Sequence, residues 1–178
     1  MANFTEIAPE KLSESAFKLI GSDWTLITAG GIDSFNTMTA SWGGLGVIWN
    51  MNVCYLVVRP GRYTYEFMEK CDVFTLTFFE ERHRKALTYC GTHSGRDVDK
   101  VRETGLTPVQ SDSGSVYFDE ARIVMECRKV YFQDIDPAHF LDAGIAANYP
   151  EKDYHRMYIG EITKCMVAAN RLESHNSR

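Results

Sequence analysis

The sequence has no run of 18 apolar residues, so no segment is long enough to cross a bilayer as a helix, and no membrane partner is expected. Residues 1–10 contain Glu6, Pro9 and Glu10 and no apolar stretch, so no secretory signal is read there. Cysteines are few and scattered, five at positions 54, 71, 90, 127 and 165, with no Cys-x-x-Cys. That excludes a zinc ribbon or a thioredoxin motif and predicts reduced, mostly buried thiols in a cytoplasmic protein. The five histidines form no His-Glu-x-x-His, and no metal is assigned. Gly44-Leu45-Gly46 meets Trp49 where a dinucleotide fingerprint needs glycine. Gly-x-Ser-x-Gly does not occur, so a nucleophile elbow is not supported. Basic charge is also scarce. Nineteen Lys and Arg face 24 Asp and Glu, a net charge of −5, which argues against a nucleic-acid partner.

The 178 residues are 44% hydrophobic and 24% charged, an ordinary globular composition. One domain over residues 1–170 is expected, with a polar tail at 171–178. The pattern predicts a helix over 9–20 ended by Gly21, and strands over 24–29, 34–42, 53–58 and 73–79. Gly43, Gly44 and Gly46 read as a break before Val47-Ile48-Trp49, and 50–52 as a hairpin turn. A helix opens at Pro60-Gly61, where proline suits a first turn. A second helix spans 81–89 and stops at Gly91, and a short one spans 98–103. Residues 106–109 read as an edge or loop, 116–118 and 121–132 as strands, 137–142 as a helix and 157–162 as a last strand. About seven strands with inserted helices favour a mainly β fold, an antiparallel barrel with added helices, over a doubly wound sheet.

Three stretches concentrate ligand chemistry. In Arg59-Pro-Gly-Arg62-Tyr63-Thr64-Tyr-Glu, a strand ends and a helix begins within a few residues. Free N–H groups at the helix start, two forked guanidiniums and two hydroxyls suit a phosphate dianion. The same arrangement also suits arginines that pair with surface carboxylates. In Asn36-Thr37-Met38-Thr39-Ala40-Ser41-Trp42-Gly-Gly, the hydroxyl residues share one strand parity and Met38, Ala40 and Trp42 the other. A flat ring can lie along such a strand against backbone N–H and C=O groups, although a half-buried strand with a bulge would read the same way. Ser94-Gly95-Arg96-Asp-Val-Asp-Lys100 adds a tight turn and two cations, or is simply a solvated loop.

In this order and spacing the three motifs resemble the flavin reductase-like family of FMN-binding split barrels, most of all its flavoredoxin-type branch, over residues 24–162. The resemblance implies a homodimeric split β-barrel holding FMN near the subunit interface. Thr39, Ala40 and Ser41, within the stretch Asn36 to Trp42, would line the isoalloxazine and ribityl chain. Arg59, Arg62, Tyr63 and Thr64 would hold the phosphate, with Ser94, Gly95, Arg96 and Lys100 from the later loop. NADH or NADPH is implied as co-substrate of a flavin reductase, with a flavoredoxin-like electron carrier reduced by a partner protein as the alternative. His155, five residues before Gly160, is the catalytic candidate by the family's C-terminal pattern, although Tyr154 stands where Asp is usual. It would sit near flavin or nicotinamide, or be a solvated histidine at a strand start.

Overall fold

Alternating and β-branched runs dominate the chain, and their burial dictates a sheet-based core. A computed structural model describes residues 3–169; the expected tail at 171–178 lies outside the described residues. In chain order the described strands are β1 (Phe4–Ile7), β2 (Thr25–Gly31), β3 (Ser34–Ala40), β4 (Gly43–Ile48), β5 (Met51–Val58), β6 (Val73–Phe78), β7 (Pro108–Gln110), β8 (Val116–Phe118), β9 (Ile123–Asp134) and β10 (Arg156–Ala168). Three α-helices are inserted: α1 (Tyr63–Lys70), α2 (Arg84–Thr92) and α3 (Lys100–Thr104). The main sheet runs β3-β2-β6-β9-β10-β5-β4, with β1 also on β10, and every pairing is antiparallel. The expected mainly β, antiparallel fold with added helices is therefore present, and the sheet is not closed: β3 and β4 end it. β7 and β8 form a separate ribbon.

In the core, Ile27, Leu56, Phe74, Leu76, Phe78, Ile123, Met125 and Tyr158 are almost fully buried. Gly160 sits in β10 beneath Phe74, where an added Cβ would stand 2.5 Å from the ring's Cζ. The glycine of the C-terminal pattern is thus required by packing rather than by chemistry at the site.

Several boundaries differ from expectation. The helix over 9–20 does not form; a 3-10 turn covers Pro9–Lys11 and a wide π turn covers Lys18–Asp23. Phe17, expected as apolar cover, is 91% exposed. Ionic tethering to a distant strand organises this segment instead, with Arg122 holding the carboxylates of Glu14 and Asp23. Gly43, Gly44 and Gly46 do not break a strand but build β4 against β5. The hairpin between them turns one residue earlier than expected, through Trp49 and Asn50, both at positive φ (53° and 57°) as a two-residue I′ loop requires. α2 continues through Gly91 to Thr92. A Cβ at Gly91 would lie 3.2 Å from the Thr39 side chain, so the glycine lets α2 pack closely on β3 rather than ending the helix. The helix over 137–142 shortens to a single 3-10 turn, Pro137–His139, followed by another at Ala143–Asn148. Four of the five cysteines are buried and Cys71 is partly so.

Candidate functional site

An edge strand is the natural floor for a flat ligand, because one row of its backbone donors and acceptors has no strand partner. β3 is such a strand. Its register with β2 places Thr37 opposite Thr28, and their hydroxyls meet at 2.9 Å, the close approach of a pair whose backbone groups point away from each other. The Thr37 carbonyl accordingly faces the open edge, where Lys100 Nζ donates to it at 2.7 Å. Strand alternation gives the N–H and C=O of Thr39 the same outward direction and turns those of Ala40 toward β2.

Two cavities adjoin along this edge. The larger, about 250 Å³, is lined by residues 38–42, Val57, Arg59, Arg62 and His155. The smaller, about 150 Å³, is lined by Asn36, Met38, residues 61–64 at the start of α1, Cys90, residues 92–95 and Lys100. Met38 and Arg62 belong to both walls. The three motifs, which begin 23 and 35 residues apart in sequence, are thus brought to one place. Thr37 and Arg96 stand just behind the walls.

The smaller cavity combines a helix N-terminus with cations. Arg62 is the N-cap position of α1 and donates to the Gly91 carbonyl at 2.9 Å. Lys100 is 7% exposed and donates to the carbonyls of Thr37 and Cys90, at 2.7 and 2.8 Å. Burial lowers the Lys100 pKa and the Arg62 cation adds to that, against an opposing effect of Cys90. Burial likewise pushes the Cys90 thiol up to about 11. Among the described residues, neither Arg62 nor Lys100 meets a carboxylate. Asn36 Nδ2 donates to the buried Thr64 hydroxyl at 2.7 Å. Gly95 lies flat on Asn36, and a Cβ there would be 2.0 Å from Asn36 Oδ1. Arg96 turns outward, stacking over Tyr63 at 4.7 Å and pairing with Glu66.

The larger cavity ends at His155 and Trp42. Their rings lie 5.2 Å apart, and Trp42 remains 46% exposed at the rim. His155 is not a solvated strand-start residue: it is 8% exposed, and Tyr149 Oη lies 2.9 Å from its Nδ1. Burial, then the cations Arg59 and Arg62, push its pKa down to about 4 against the opposing Asp153, so the ring is neutral at pH 7. Arg59, expected at a phosphate, stands in this wall instead. Its Nη1 donates to both Asp153 oxygens at 2.5 and 2.6 Å, and its Nη2 to the Asn148 carbonyl at 2.8 Å. The pairing of arginine with carboxylate that the sequence left open for residues 59–66 is therefore the arrangement seen for Arg59, whereas Arg62 bonds the Gly91 carbonyl; Arg96 of the later loop pairs with Glu66. Sequence reasoning missed Val57, Thr92, Tyr149 and Asp153. Thr92 and His93 adjoin a recognised motif, whereas Tyr149 and Asp153 sit in an irregular segment with no motif to mark them.

The residues fit a flavin mononucleotide. A ring-sized cavity floored by an edge strand shares a wall, at Met38 and Arg62, with a phosphate-sized cavity holding two cations, a helix N-terminus and a flat Gly95 turn. Solved structures with this fold bear flavin names. The FMN-binding domain of a flavin reductases-like enzyme from Shewanella baltica is 15% identical, with 94% of this chain and 78% of that one covered and a TM-score of 0.68. Flavoredoxin of Desulfovibrio vulgaris (Miyazaki F) is 20% identical over 92% of this chain and 78% of its own, with a TM-score of 0.66. The Streptomyces globisporus NADH:FAD oxidoreductase, solved with NAD and FAD fragments, is 18% identical over 82% and 74%, with a TM-score of 0.61. No curated protein matches by sequence. At such identities these neighbours speak for the fold, but residues 17–177 also match the sequence profile of the flavin reductase like domain, and on that match the chain belongs to the flavin reductase-like family.

Proposed function

We propose that this protein is an FMN-dependent oxidoreductase, an NAD(P)H:flavin reductase of its family. The junction of the two cavities at Met38 and Arg62 carries the reading, because there a strand edge and an anion corner meet within reach of one mononucleotide. A bound flavin supplies the redox chemistry, accepting hydride from a nicotinamide at N5. The chain's own residues bind, orient and exclude water. Arg62, Lys100, the hydroxyls of Tyr63, Thr64 and Ser94, and the N–H groups of the α1 start and Gly95 hold the phosphate. Thr39 presents main-chain groups to the polar edge of the ring, and Met38, Ala40 and Ser41 line its length. Trp42 and His155 close the far end, where a nicotinamide would stack. A neutral His155 adds no charge to that end of the cavity.

The same chain meets a second copy, in this reading, through the exposed apolar residues Val47 and Trp49 of the β4–β5 hairpin and Tyr131 of β9, whose ring lies 6.1 Å from that of Trp49. Light scattering of the purified protein should give twice the chain mass. Among the described residues no helix is long and apolar enough to cross a membrane. The deciding experiment mixes protein, FMN and NADH or NADPH without oxygen and follows the visible flavin absorbance. Rapid catalytic bleaching is expected. Bound FMN that neither nucleotide bleaches would replace the reductase by a carrier reduced by a protein partner, and a colourless protein that ignores FMN would remove both.

A further inference from the structure

Residues 135–155 connect β9 to β10 as an irregular strap. The strap is mostly exposed, with Leu141 entirely so, and between 135 and 154 the one buried residue is Tyr149. A segment with so little buried surface is held by its anchor. Tyr149 stacks with Phe140 at 6.0 Å and meets Tyr154 at 5.0 Å, and its ring edge packs on His155 at 5.4 Å. The Arg59 guanidinium lies 5.1 Å from its ring centroid. That same guanidinium bonds Asn148 and Asp153, so Arg59 ties the strap on both sides of Tyr149.

We propose that Tyr149 is a positioning residue for His155: clamped by Arg59 and Asp153, it donates its hydroxyl proton to Nδ1 and leaves the Nε2 proton facing the ligand cavity, to meet an uncharged acceptor of the bound heterocycle. A neutral imidazole has one N–H, so a ring that accepts at Nδ1 must donate from Nε2. Burial and Asp153 hold the Tyr149 phenol in its protonated form against the opposing Arg59 cation, so it has a proton to give. The cation over its face also makes the phenol the better donor of the pair. Trp42 packs against the imidazole at 5.2 Å and resists its rotation. The charged groups acting on His155 are Arg59, Arg62 and Asp153. This assignment gives Arg59 a task other than phosphate binding. Its ligand-facing half rests on the flavin reading above.

The test is nitrogen NMR of the flavin-free protein labelled with ¹⁵N-histidine, the His155 signals being identified by their loss in His155→Gln. The Nε2–H tautomer is expected at pH 7. In Tyr149→Phe both tautomers should appear. An Nδ1–H tautomer in the wild type, or one unmoved by Tyr149→Phe, overturns the proposal. If Tyr149→Phe does not fold, Asp153→Asn, which loosens the same clamp, should speed amide exchange across residues 143–149 and mix the tautomers; no change in either overturns it. Titration with FMN and with riboflavin reads the ligand-facing half. Tyr149→Phe should weaken both by the same factor, about threefold to tenfold, as expected for one hydrogen bond. Weakening of FMN alone would place Tyr149 at the phosphate and overturn the assignment. Because the tautomer is measured without flavin, a protein that binds no flavin yet shows the Nε2–H form refutes the flavin reading and upholds the clamp.

Discussion

The two ends of the site are built in opposite ways. At the phosphate end, most side chains come from two contiguous stretches, residues 61–64 and 92–95, and the backbone that aims them is local: a strand stops, a helix starts, a glycine turn lies against it. At the His155 end, the contacts hang on an irregular strap. Arg59 reaches Asp153 across 94 residues, and Tyr149 reaches His155 from a strap with almost no buried surface of its own. The phosphate end leaves two cations without carboxylate partners among the described residues, whereas the His155 end neutralises Arg59 internally. An excess of positive charge marks a place that waits for an anion; a satisfied ion pair marks a place that holds itself.

Lys100 joins this contrast to stability, and its replacement carries the largest expected effect. Lys100→Met leaves the Cys90 carbonyl buried without its side-chain donor and the Thr37 carbonyl with a long 3.4 Å bond from Asn36 Nδ2, which costs about 3 kcal/mol in all. Urea unfolding should show that loss, with FMN binding abolished. A variant as stable as the wild type would mean that β3 and α2 do not depend on this cation.

His155 comes next. Its folded pKa, about 4, lies below the ordinary histidine value near 6.5, so between those values the unfolded chain binds the extra proton. Stability from this group is complete above about pH 6.5 and is lost as pH falls toward 4, by about 3 kcal/mol at most. Unfolding wild type and His155→Gln in parallel at pH 7 and pH 4.5 isolates it, because the other titrating groups are common to both. Parallel pH profiles would show that the ring is hydrated after all, and the His155 end would lose its closed character.

The phosphate end was largely legible beforehand because its chemistry is written in neighbouring residues. Arg62-Tyr63-Thr64 and Ser94-Gly95 carry their own turn and helix-start signals, and the alternation over 36–42 marked a strand that ends at Ala40, two residues short of expectation, but could not say that this strand is an edge. That fact depends on sheet order, a property of all the strands at once. The glycines misled for a related reason. Gly43, Gly44 and Gly91 read as stops when only local conformation is considered, but β4 pairs through the first two and α2 sits close to Thr39 through the third. The N-terminal segment failed as a helix because its buried partner, Arg122, lies about a hundred residues away. Arg59 and Arg62 look alike in sequence, and only Asp153, in an irregular strap, separates them.

Arg62→Ala sharpens the phosphate end alone. Removing one charge-assisted contact should weaken FMN about tenfold to thirtyfold, with riboflavin, which has no phosphate, changed far less. The unfolding midpoint should move little, because the side chain's bond in the protein is a single one to Gly91. Equal weakening of both flavins would place Arg62 at the ring and move the phosphate elsewhere.

The smallest expected effect is the most discriminating, because it concerns a ratio. Arg59→Ala should loosen the strap and weaken FMN and riboflavin together, leaving their affinity ratio within about twofold of wild type, since a guanidinium already bonded to Asp153 and Asn148 has little left to offer an anion. Asp153→Asn provides the converse. If Asp153 merely masks a phosphate ligand, removing its charge frees Arg59, and FMN should bind tighter while riboflavin does not. If Asp153 belongs to the clamp, both flavins should weaken slightly and together. Fluorescence titration of the two variants with the two flavins therefore decides whether positions 59 and 62 share one task, as their spacing suggests, or divide the site between an anion and a histidine.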